Sequence, residues 1–123
     1  MRHTSLKRRR LNDSVKEYRQ SLREMVGRCE VCLRPAAPEW LDVHELVPGS
    51  SRAKALDKEF ALLCVHRLCH DYLETLTIPN QLAYLYIARA SSFDLEKYHA
   101  LIGRCWPSWD EVSGYVSKIL GSR

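Results

Sequence analysis

Long apolar runs are missing from this 123-residue chain. No stretch approaches the roughly 18 residues needed to span a bilayer, so the sequence offers no transmembrane helix. The opening stretch, MRHTSLKRRRLNDS, is basic and then polar. It lacks the apolar segment and small-residue cleavage site of a secretory signal, which gives a cytosolic location as the expectation. Internal repeats, low-complexity tracts and long linkers are absent too, which excludes solenoid and disordered architectures. What remains, 46% hydrophobic and 28% charged residues, is the composition of an ordinary globular protein. The length allows one domain, whose small core would benefit from a staple such as a metal ion.

The net charge of +4 conceals an asymmetry. Residues 1–28 carry +6 and residues 29–123 carry −2. Lys7, Arg8, Arg9, Arg10 and Arg19 belong to this basic head. Such a block suits a polyanion, because each neutralised phosphate releases condensed counterions. A solvated terminus that only aids solubility is the competing reading.

The chain is expected to order as helix, two-stranded centre, then helices, an α+β arrangement. Ser14 and Glu17 fit a capping box, and Val15, Tyr18, Leu22, Met25 and Val26 recur at helical spacing until Gly27 can take a left-handed cap. Residues 40–47 alternate as a strand should, and residues 60–63 supply a second. Helices are expected from Cys69 to Leu76, from Pro79, from an Asp94 cap to Gly103, and from a Ser108–Glu111 capping box. The division is a basic arm at 1–13, a central unit with its preceding helix at 14–76, and a helical extension at 77–123 packed on it. Trp40, Trp106 and Trp109 can stack on unpaired bases, but their place beside capping boxes and apolar stripes favours the core, where Cys105 is also expected.

Five cysteines in a reducing compartment argue against a disulfide framework, and an odd count leaves one over. Metal is the better reading. Cys29 and Cys32 have the two-residue gap that aims both thiolates of a tight knuckle at one ion. Cys64 and Cys69 can supply the second pair of a structural Zn²⁺ site, although their gap is wider than usual. His66 lies inside that gap and is a possible replacement ligand. His44 on the first strand and His70 just after Cys69 can together hold a second ion with open positions. Asp42 shares the face of His44, placing it either in that metal shell or behind a histidine as a hydrogen-bond acceptor. Arg52 and Lys54, after the Pro-Gly-Ser-Ser turn, can clamp phosphate.

Cys29-Glu-Val-Cys32, then Leu41-Asp-Val-His-Glu-Leu-Val-Pro48, then Leu62-Leu-Cys64 through Leu68-Cys-His-Asp71 resembles the HNH endonuclease motif. The resemblance is to the zinc-stapled form common in phage and mobile-element proteins, and covers about residues 27–76. It implies a small ββα-metal centre of treble-clef type and metal-dependent hydrolysis of DNA, most simply as nicking. His44 and His70 fall on metal-ligand positions, for Mg²⁺, Mn²⁺ or Ni²⁺. Glu45 falls where the family has its water-activating histidine, making it the candidate general base. The family's central Asn falls near Glu59 and is absent. These two departures keep open an alternative, a zinc-stabilised DNA-binding module without catalysis. A third class, an adaptor acting through the helical tail, rests only on the unassigned C-terminal third.

Overall fold

Leu, Arg, Lys, Glu and Gln, all strong helix formers, dominate residues 6–26. In the computed structural model they form a single helix, α1 (Leu6–Val26). Residues 6–123 are described, with side chains from residue 12 onward. The side chains of Lys7, Arg8, Arg9 and Arg10, expected to meet DNA, lie outside the described residues. The helix starts earlier than the Ser14–Glu17 pair suggests, because the preceding Lys/Arg run propagates it, so that pair caps nothing. Gly27 ends α1 at φ +61°, as expected of a left-handed cap. Leu22 is the buried anchor of α1, while Met25, expected on the buried stripe, is exposed.

Two short antiparallel strands form the centre, β1 (Asp42–Glu45) and β2 (Leu62–Val65), pairing His44 with Leu63 and Val43 with Cys64. Both expected strands shrink or shift. Pro38–Trp40 and Glu59–Ala61 wind into 3₁₀ turns, Pro38 entering with its fixed φ, so pairing begins only at Asp42 and Leu62. Another 3₁₀ turn and α2 (Arg52–Ala55) bridge the strands. After β2 come α3 (Arg67–Glu74), α4 (Ile78–Ala88), α5 (Leu95–Ile102) and α6 (Trp109–Gly121).

The fold is therefore α+β, a two-stranded sheet wrapped by helices on one continuous core. Leu46, Leu62, Leu63, Leu73, Leu82 and Leu85 are fully buried within it. Each such side chain contributes roughly 1.5–3 kcal/mol. The last helices form where their caps predict. Asp94 accepts the Lys97 amide at 3.0 Å, Gly103 closes α5 at φ +78°, and the Ser108–Glu111 capping box is complete. Tyr98 of α5 is buried and donates its hydroxyl to the Leu46 carbonyl at 2.6 Å, tying the helical extension to the segment after β1.

Several residues expected in the core are not there. Trp40 is 71% exposed, Trp109 is partly exposed against Tyr86 and Phe93, and Cys105 lies at the surface. No helix among the described residues is long and apolar enough to cross a membrane.

Candidate functional site

The Cys29–Cys32 turn folds as a knuckle. The Cys29 amide donates to the Arg34 carbonyl, the Cys29 carbonyl accepts from the Leu33 amide, and Leu33 adopts a left-handed φ of +65° to close the turn. Non-glycine residues visit that region at a cost of roughly 1–2 kcal/mol, so the turn stores strain beside its sulfurs. The start of α3 lies opposite, with His66 as the residue before the helix and Cys69 in its first turn. Cys29, Cys32, His66 and Cys69 bring one ligand atom each to within 4.8 Å of the others. The Cys32 Sγ to His66 Nδ1 distance, 3.4 Å, is near the roughly 3.6 Å edge of a tetrahedron with zinc-like bond lengths.

The fourth member of this potential metal cluster is thus His66 and not the expected Cys64. Two residues of strand, about 7 Å, separate these positions. Cys64 remains inside β2, fully buried, where burial and the Glu30 carboxylate push its thiol up to about 12. Cys29 behaves oppositely. Burial alone would raise its pKa, but backbone N–H groups of Cys32, His66 and Val31 at its sulfur outweigh that and hold it below the ordinary thiol value. Cys69 is pushed up to about 12 by burial and by the neighbouring Cys29 and Cys32 sulfurs. Sulfurs this close repel one another as thiolates, and a cation bound among them would relieve that repulsion, so the Cys₃His cluster could hold a metal ion. The donor set and spacing fit a structural zinc.

Glu30, between the two knuckle cysteines, is 1% exposed. One carboxylate oxygen accepts the Cys64 amide at 2.9 Å, and the other accepts Arg89 Nε at 2.6 Å. Arg89 also donates to the carbonyls of Leu62 and Glu59. This network clamps the knuckle, β2 and the end of α4 together. Nothing in its local sequence marks it, since Glu30 and Arg89 lie 59 positions apart.

A second cluster joins β1 to α3. Ligand atoms of His44, His70 and Glu74 lie within 4.8 Å of one another, and the two imidazole rings meet edge-on at 4.8 Å. His70 and Glu74 share a helix face by their i, i+4 spacing, with Nε2 and Oε1 3.4 Å apart. Glu74 was not legible as a site residue, although that spacing is a signal for it. Asp42 is not a member of the trio. Its Oδ2 accepts from His70 Nδ1 at 3.1 Å, matching the second of the two roles its position allowed. With Nδ1 donating, His70 keeps the Nε2 lone pair for a metal.

Gln81 of α4 does the same for His44. Its amide nitrogen donates to the carbonyls of Leu73 and Leu76, which turns its oxygen toward His44 Nε2 at 2.8 Å. That bond requires Nε2 to carry the proton and leaves Nδ1 free to ligate. Burial, more than the nearby His70, lowers the His44 pKa from its ordinary value, against the opposing hydrogen bond to Gln81. A 2-His-1-carboxylate set with both rings oriented from behind is suited to a divalent ion with open positions.

Glu45 is elsewhere. Strand alternation turns it away from His44 toward α1, where its Oε1 pairs with Arg19 at 2.9 Å. Burial would raise its pKa, but Arg19 overcomes this and holds the carboxylate below its usual range. Paired with Arg19 on the α1 side of the strand, it stands apart from the trio. Arg19 is committed as well, since its Nε donates to the Leu56 carbonyl. Arg52 and Lys54 are exposed on α2, with Arg52 close enough to Glu45 to favour its charge. Glu59, at the position of the missing Asn, lies at the surface near Ser92.

Comparison of the chain with protein-family models, with curated proteins and with solved structures finds no match.

Proposed function

We propose that this chain is a metal-dependent DNA endonuclease of HNH type, with β1, β2 and α3 serving as a ββα-metal unit of treble-clef kind. The observation that carries the reading is the His44–His70–Glu74 trio with Asp42 and Gln81 behind its rings. These two acceptors fix both tautomers, so neither histidine must reorganise before it ligates. A divalent ion such as Mg²⁺, Mn²⁺ or Ni²⁺ held there supplies Lewis-acid polarisation of a phosphodiester. Zn²⁺ at the Cys₃His cluster would pin the start of α3, and hence His70 and Glu74, against the knuckle. Arg67, exposed beside Asp42, and Arg52 and Lys54 on α2 are the phosphate-facing cations.

A second reading, a zinc-stabilised DNA-binding module without catalysis, draws support from Glu45. Its pairing with Arg19 removes the carboxylate that stands at the family's base position. Conversion of supercoiled plasmid to nicked circles, with each ion in turn, separates the two. The nuclease reading expects nicking that His44→Ala abolishes and Glu45→Gln leaves within about threefold. Removing a true general base would cost about 10²–10⁴. Salt-sensitive plasmid binding without nicking under any ion would establish the second reading instead.

A further inference from the structure

Trp40 is 71% exposed and Leu68 is 82% exposed, an unusual display for two large apolar side chains in a small protein. They line one groove of about 860 Å³ beside the zinc-type cluster, together with Arg34 and Arg67 and with no carboxylate in its lining. Arg34 has no ion-pair partner among the described residues. Arg67 touches Asp42 Oδ2 at 3.3 Å, the same oxygen that accepts from His70. Asp42 thus links Arg67, on the lining of the groove, to His70 of the His44–His70–Glu74 trio.

An indole face, an aliphatic side chain, the Arg34 guanidinium without an ion-pair partner among the described residues and an exposed Arg67 that shares Asp42 with His70 match a specific chemistry. Bases offer π-faces to stack and phosphates offer charge to pair, whereas a purely apolar protein partner would leave Arg34 desolvated and unpaired. We propose that this groove binds an unpaired nucleotide of the DNA strand beside the cleavage site, its base on Trp40 and Leu68 and its phosphates on Arg34 and Arg67. The proposal rests on the nuclease reading for its DNA and adds to it a preference for locally single-stranded substrate.

The test is binding of fluorescein-labelled dT₁₂ by the zinc-loaded full chain, followed by anisotropy over a salt series without added catalytic ion. Because Trp40 is exposed, its replacement should leave zinc content and melting unchanged. Trp40→Ala should weaken binding about 5- to 100-fold, the range for loss of one stacking platform, while Trp40→Phe stays within about threefold of wild type. Arg34→Ala and Arg67→Ala should each reduce the slope of log K against log salt by about 0.7. Met25→Ala, an exposed apolar change elsewhere, should do nothing. Equal affinity of Trp40→Ala and wild type, or no dT₁₂ binding by wild type at low salt, overturns the proposal. If Trp40→Ala binds normally while plasmid nicking persists, the groove fails and the nuclease reading stands. If Trp40 governs dT₁₂ affinity while no ion supports nicking, the groove stands and the catalytic reading fails.

Discussion

His66 and Cys64 differ by two positions in the chain, and only one reaches the knuckle. Sequence spacing favours the cysteine because the thiol is the commoner zinc ligand. The structure favours the histidine because β2 ends at Val65 and the chain must turn past Cys29 to begin α3. Elemental analysis should accordingly find one zinc per chain in wild type and in Cys64→Ala, and well below one in Cys29→Ser and His66→Ala. Zinc lost from Cys64→Ala but kept by His66→Ala would reverse the assignment. The Glu30–Arg89 pair is a different residue-scale feature, with Glu30 fully buried and Arg89 largely so. Removing one member leaves a buried charge uncompensated, so Arg89→Met should cost about 3–5 kcal/mol of stability in denaturant melts. A cost under 1 kcal/mol would show that the pair is solvated.

Tyr98 ties two elements by one hydrogen bond, and its burial raises its pKa above the ordinary tyrosine value. The unfolded chain releases that proton first, near pH 10. Its stabilising effect is therefore complete below pH 10 and disappears as pH climbs toward the folded value. Tyr98→Phe should lower stability at neutral pH by about 1–3 kcal/mol, because the Leu46 carbonyl loses its donor, and should flatten the alkaline limb of a melting profile. An unaltered limb would assign alkaline unfolding to other groups. Element ends were the most legible part of the sequence. The Asp94, Gly103, Ser108–Glu111 and Gly27 signals depend only on neighbours within four residues, and all four form. Ser108→Ala should cost about 1 kcal/mol for the same local reason. Where local rules compete with a helix-forming run, as at Ser14, the run prevails.

At the scale of the whole molecule, the α+β order and the Cys/His grouping were readable, while the contacts that complete the site were not. Gln81 and Glu74 come from helices whose packing on β1 decides their roles, and Gln81 lies 37 positions from the histidine it orients. Trp40 was misplaced because an aromatic near a strand is ordinarily core, whereas here a 3₁₀ turn lifts it to the surface. The buried clamp holds the knuckle, β2 and the end of α4 together, and zinc bound at the Cys29–Cys32–His66–Cys69 cluster would add the start of α3, which carries His70.

The most direct measurement of the central reading is plasmid nicking by zinc-loaded protein across a Mn²⁺ titration, run for wild type, His70→Ala and Glu74→Ala with zinc content checked in each. Nicking that rises with Mn²⁺ in wild type, falls at least 100-fold in His70→Ala and requires much more Mn²⁺ in Glu74→Ala is the expected result. Equal nicking by all three proteins, or none by wild type at any ion concentration, would contradict a nuclease built on this trio.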